Sequence, residues 1–159
     1  MTPFVQSILL ANVIVFLLQG LMPELILWFG LWPGGSSGLG ALPWDAPWQI
    51  VTYSFLHADL WHIAFNMLAI WMFGTQIEHV WGARRLAWTY FISVITGGIG
   101  DLLVGALFGT GGGPVIGASA GVFGVLLVYA LLFPRNKIML LIPPIPLPAR
   151  VFVGLYAAV

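Results

Sequence analysis

Cysteine is absent from the 159 residues, which removes disulfides, thiolate chemistry and cysteine-ligated metals. Charge is scarce as well: five Lys and Arg balance five Asp and Glu, only 6% of the chain against roughly 25% in an ordinary soluble domain. Five cations cannot neutralise a row of phosphates, so nucleic acid is not an expected partner. The three histidines, His57, His62 and His79, form no H-E-x-x-H pattern and no His/carboxylate pair at helical spacing, so no metal is expected. The glycine run at 109–113 lacks the G-K-[ST] ending of a P-loop and the spacing of a dinucleotide fingerprint; no cofactor is expected. Residues 1–6 lack the basic region of a secretory signal, and the apolar run behind them is too long for one, so it reads as a retained first helix.

What the chain has in excess is apolar surface, at 60% hydrophobic residues and a mean hydropathy of +1.03. A spanning helix needs about 20 apolar residues to cross ~30 Å of hydrocarbon. Four such runs are expected, over residues 5–22, 60–80, 86–108 and 116–133. The fold class is therefore an all-α, polytopic transmembrane helical bundle forming a single domain over 1–159. Between the first two helices lies a long segment with a Gly/Ser-rich turn at 34–40 and an aromatic stretch, Trp44, Asp45 and Trp48, expected at headgroup level. The Pro-rich segment 142–148 cannot be a continuous helix. A fifth apolar run opens at Val151 and reaches only Val159, so the chain is expected to end inside a helix.

If the helices alternate, Arg84, Arg85, Arg135, Lys137 and Arg150 share one side, the cytoplasmic one by the positive-inside rule. The N-terminus is then cytoplasmic. His62 near the start of the second helix and Ser119 near the start of the fourth both lie just below the outer face. Asn66 follows His62 by one turn, about 40° around and ~6 Å deeper.

A His, an Asn and a Ser at one depth admit several readings. His62 and Asn66 can simply hydrogen-bond between helices, and a lone Ser can bond its own i−4 carbonyl. Gly117, Gly121 and Gly124 can serve close helix packing. Gly117–Gly121 also fits the G-x-S-x-G nucleophile elbow, but no strand precedes it and no later His follows. Asp101, inside the third helix, is either a functional acid or a tolerated, hydrated one.

His57-x-x-x-x-His62-x-x-x-Asn66, Gly74-x-x-x-Glu78, Gly82-x-Arg84, Gly117-Ala118-Ser119 with Phe123, and Phe133-Pro134 together resemble the rhomboid family of intramembrane serine proteases. The resemblance covers most of the chain from Trp48 onward. It implies Ser119 as nucleophile, an oxyanion held by His62, Asn66 and the Ser119 backbone N–H, and a base histidine on a last helix. His57, Gly117 and Phe123 are implied as site-shaping, with Phe123 standing where the base histidine stacks; Glu78 is implied as structural. The implied fold has six helices when complete, about four and a half of them here. The implied substrates are transmembrane proteins in the bilayer, cleaved at the outer face of a prokaryotic plasma (inner) membrane.

Two positions depart from the family pattern. Ala120 stands where many relatives have Gly, and no histidine follows His79. The base is therefore expected beyond Val159, and this chain alone is expected to be inactive. The rival readings are an inactive rhomboid-like protein that binds transmembrane clients, and a channel or transporter half suggested by Asp101 and the broken helices. Oligomeric state leaves no mark in the sequence.

Overall fold

The computed structural model describes residues 2–33, 46–109, 113–139, 146–149 and 151. Within them the regular elements are helices apart from one two-stranded ribbon and an isolated bridge. The first helix, α1, is Pro3–Leu21, with Pro3 in the first turn, where its missing N–H costs nothing. A short α2, Leu25–Phe29, follows the Pro23 break. Then come α3, Gln49–Thr52, and a 3₁₀ turn, Tyr53–Phe55, in a segment expected to be loop. Its polar side chains tie it to α2: Gln49 Nε2 and the Trp48 indole N–H both donate to Trp28 O, and Thr52 Oγ1 donates to Phe29 O. Trp44, Asp45 and the turn at 34–40 lie outside the described residues.

The second expected helix is a composite of α4, Leu60–Ala69, a π segment, Ile70–Gly74, and α5, Thr75–Trp81. Gly82 follows at φ +85, a conformation open to glycine, and turns the chain into α6, Ala83–Phe108. Helix α7 is Ser119–Leu132 and starts three residues later than the apolar run at 116–133 predicts. Residues 115–118 are held outside the helix instead. Val115 and Leu31 exchange both backbone hydrogen bonds, at 2.7 and 3.1 Å, and Gly117 N–H donates to Tyr53 O at 3.0 Å. Beyond α7, strand β1, Lys137–Met139, pairs antiparallel with β2, Pro146–Pro148. The run 152–159 lies outside the described residues.

Helix α7 is buried along most of its length, and it packs chiefly on α6 while also touching α4 and the π segment. Small residues make this approach possible. A methyl group on Gly121 would run into the Tyr90 ring, one on Gly124 into Ser93, and one on Gly97 would come 2.6 Å from the Ala120 Cβ. Gly121 and Gly124 thus serve helix packing, whereas Gly117, expected to share that face, precedes the helix and serves His62.

Glu78 ties the composite helix to α1. Its two carboxylate oxygens accept from Phe4 N–H at 2.9 Å and Val5 N–H at 3.0 Å, satisfying donors that the first turn of a helix leaves unpaired. The structural role implied for Glu78 is this cap.

Two helices, Pro3–Leu21 and Ala83–Phe108, are long and apolar enough to cross a bilayer, and large apolar side chains such as Leu21, Trp88, Leu107 and Leu131 project outward. Outward apolar surface on this scale fits lipid rather than water. The hydroxyls of Ser7, Thr89 and Thr96 on these helices bond back to the helix itself, at Pro3 O, Arg85 O and Ile92 O.

Candidate active site

The site is assembled where the start of α4 meets the start of α7. Asp59 is the N-cap of α4, and its Oδ1 accepts from the His62 N–H at 2.9 Å. That bond fixes where the helix begins and therefore which way His62 projects. Asn66, one turn on and buried, donates from Nδ2 to His62 O at 3.0 Å. A carboxamide nitrogen carries two hydrogens, so one N–H of Asn66 remains after this bond.

Across from α4, Gly117 adopts φ +124, which L side chains rarely adopt, and the His62 ring lies directly against its Cα. A Cβ there would sit 2.6 Å from His62 Nε2. Gly117 is thus needed twice, for backbone conformation and for space. Ser119, two residues later and half-buried, is the first residue of α7. The bland fate of a helical serine, bonding its i−4 carbonyl, requires a helical residue at i−4. Here that residue is Val115, whose extended carbonyl accepts from Leu31 N–H.

His57 lies behind His62. Its ring is fully buried and meets the His62 ring edge-on, with centroids 5.1 Å apart and planes at 73°. Neither His57 ring nitrogen has a hydrogen-bond partner among the described residues. Burial, reinforced by the neighbouring His62, pushes the His57 imidazole down to about 4, so at neutral pH it is an uncharged wall rather than a proton carrier.

Phe123 follows Ser119 by one turn and is half exposed. With Ser93, Thr96, Gly97, Ala120 and Gly124 it lines an open groove of about 540 Å³ between α6 and α7. The structure therefore joins His62 to Gly117 at the mouth of α7, His57 to His62, and Asn66 to the same turn of α4, while Phe123 opens onto the α6/α7 groove. Asp101 is exposed on α6. No group of three or more His, Asp or Glu fit to hold a metal ion occurs among the described residues.

Two polar residues that hydrogen-bond to the cluster escape a reading by motif. Asp59 carries a signal, an acidic residue just before an apolar periodic run, which is an N-cap signature. Gln19 carries none beyond being polar in an apolar helix; it contacts His57 from α1.

The chain resembles known proteins over this same region. Residues 45–159 match the Rhomboid domain family. Over 99 residues, 62% of this chain and 29% of the relative, it is 39% identical to "Rhomboid protein 1, mitochondrial" of Saccharomyces cerevisiae. It is 33% identical over 132 residues to "Rhomboid protease GlpG" of Klebsiella pneumoniae, 82% of this chain and 43% of that protein. With "Rhomboid protease GluP" of Bacillus subtilis it shares 34% over 94 residues, 58% of this chain and 17% of that protein. The chain thus matches less than half the length of each of these three relatives. The match spans every residue of the α4/α7 cluster, and the helical bundle agrees with it: the chain belongs to the rhomboid family.

Proposed function

We propose that this chain is the nucleophile- and oxyanion-bearing part of an intramembrane serine endopeptidase that cleaves transmembrane-protein substrates in the bilayer. The observation that carries the reading is the His62 ring seated on Gly117 at the start of α7, two residues before Ser119. A serine hydroxyl is a weak nucleophile and needs a base, and the oxyanion it generates needs preorganised donors. His62 Nε2–H, the remaining Asn66 N–H and the Ser119 backbone N–H are the donors we assign. The last is one of the unpaired N–H groups at a helix start, where the helix dipole favours negative charge.

The base we assign to a histidine on a further helix seated in the α6/α7 groove. The groove opens between α6 and α7, and Phe123 in its lining offers the ring for an imidazole to stack on. The 14 residues of α7 rise about 21 Å, less than the ~30 Å hydrocarbon core. If its far end, near Arg135, reaches the cytoplasmic surface, Ser119 lies below the outer one. We propose this orientation, with the N-terminus cytoplasmic, and a prokaryotic plasma membrane as the location.

In the complete protein, Ser119→Ala should abolish both cleavage of a reporter transmembrane substrate and labelling by a fluorophosphonate. Persistent cleavage by this variant would remove Ser119 from the mechanism. Client binding without cleavage by the unmodified complete protein would favour the inactive rhomboid-like reading.

A further inference from the structure

We propose that Gln19 is a positioning residue for this site: its carboxamide clamps the His57 peptide, and the loop so held sets the tautomer of His62 through the Ala58 N–H. The catalytic consequence rests on His62 as an oxyanion donor; the structural half does not.

Gln19 lies in the last turn of α1 and is 9% exposed. One primary amide meets both polar backbone groups of one residue, Nε2 donating to His57 O at 2.6 Å and Oε1 accepting from His57 N–H at 3.1 Å. Reversing the amide would set donor against donor and acceptor against acceptor, so the pairing dictates its orientation. Residues 56–58, between the 3₁₀ turn and the N-cap of α4, make no helix or strand, and buried peptide groups there need partners from elsewhere. Gln19 supplies both for His57.

One residue on, the Ala58 N–H faces His62 Nδ1 at 3.5 Å, at the long end of hydrogen bonding. A peptide N–H only donates, so Nδ1 is the accepting nitrogen and the ring proton sits on Nε2. Nε2 is the nitrogen against Gly117. The opposite tautomer would place a proton on Nδ1 facing another donor and leave no proton on Nε2. The His57 ring, edge-on to His62, backs the same arrangement, and it too hangs on the peptide that Gln19 holds. A polar side chain on the first helix thus reaches the chemistry through two peptides and one ring.

The test uses this chain with ¹⁵N-labelled histidine in lipid nanodiscs, read by nitrogen NMR at neutral pH. His62 of the unmodified chain should show a single tautomer with the proton on Nε2. Gln19→Met, which keeps the volume and removes both bonds, and Gln19→Glu, which keeps only the acceptor, should each bring up a second His62 signal protonated on Nδ1. In the complete protein the same substitutions should lower kcat by about 10- to 100-fold with KM changed less than about twofold, the pattern of a displaced transition-state donor. An Nδ1–H or mixed His62 in the unmodified chain would overturn the proposal even if neither variant folds. So would a single Nε2–H signal retained in both folded variants. A protein without proteolytic activity would defeat the functional reading but leave the tautomer measurement to decide this one.

Discussion

Gly117 and His62 are matched by what Gly117 lacks. A Cβ at that position would lie 2.6 Å from His62 Nε2 and 2.7 Å from its Cε1, and the backbone there, at φ +124, disfavours any side chain. Gly117→Ala should therefore push the His62 ring off the start of α7. With an oxyanion donor typically worth about 10²–10³ in kcat, we expect a loss of that size in reporter cleavage by the complete protein. A variant within fivefold of the parent would contradict the oxyanion assignment of His62.

Glu78 predicts a stability effect apart from the site. Glu78→Ala leaves two N–H groups at the start of α1 without their buried acceptor, at a cost of about 2–3 kcal/mol, and Glu78→Gln should fall between the two. Thermal unfolding of this chain in detergent measures both. Equal melting temperatures for all three proteins would show that the cap contributes little.

The buried His57 imidazole predicts a dependence on pH. Its value is lowered from an ordinary 6.5 to about 4, so between those limits the unfolded chain binds the proton that the folded chain refuses. The contribution of this site is complete above pH 6.5 and is lost as pH falls from 6.5 towards 4, by on the order of 2–3 kcal/mol. His57→Phe should flatten the melting temperature over that interval. An unchanged slope would assign the acid sensitivity to other groups.

Glycines on the same helices should divide by what surrounds them. Gly121→Ala drives a methyl into the Tyr90 ring and should destabilise by about 1–3 kcal/mol. Gly100, within α6, has nothing near its missing Cβ, so Gly100→Ala should be neutral or stabilising by up to about 1 kcal/mol from helix propensity. Unfolding midpoints of the two variants that move in the same direction would refute the α6/α7 packing described above.

Apolar runs and sparse charge mark most of the helices in the residues alone, because a bilayer-spanning segment must satisfy its own backbone and tolerates few charges. The spacing from His62 to Asn66 and the small residues around Ser119 mark these positions as candidates, and the residues alone leave helix packing and catalysis both open. The start of α7 lies three residues beyond the start of its apolar run, since Ile116 and Gly117 continue that run while the bonds of Val115 to Leu31 and of Gly117 to Tyr53 hold the backbone outside the helix. The short helices at 25–29 and 49–52 carry no comparable signal; they are tied to one another by side-chain bonds to Trp28 and Phe29, which no local pattern announces.

The sequence by itself determined that this is a membrane bundle and that His62, Asn66 and Ser119 are its unusual polar residues, because hydropathy and helical period are local properties of the chain. Only the tertiary structure decided that Gly117 makes room for an imidazole while Gly121 and Gly124 make room for α6, since a glycine's purpose is set by what approaches it. It alone brought Gln19 to the His57 peptide, 38 residues away, because such a bond depends on how two helices pack and not on any spacing between them.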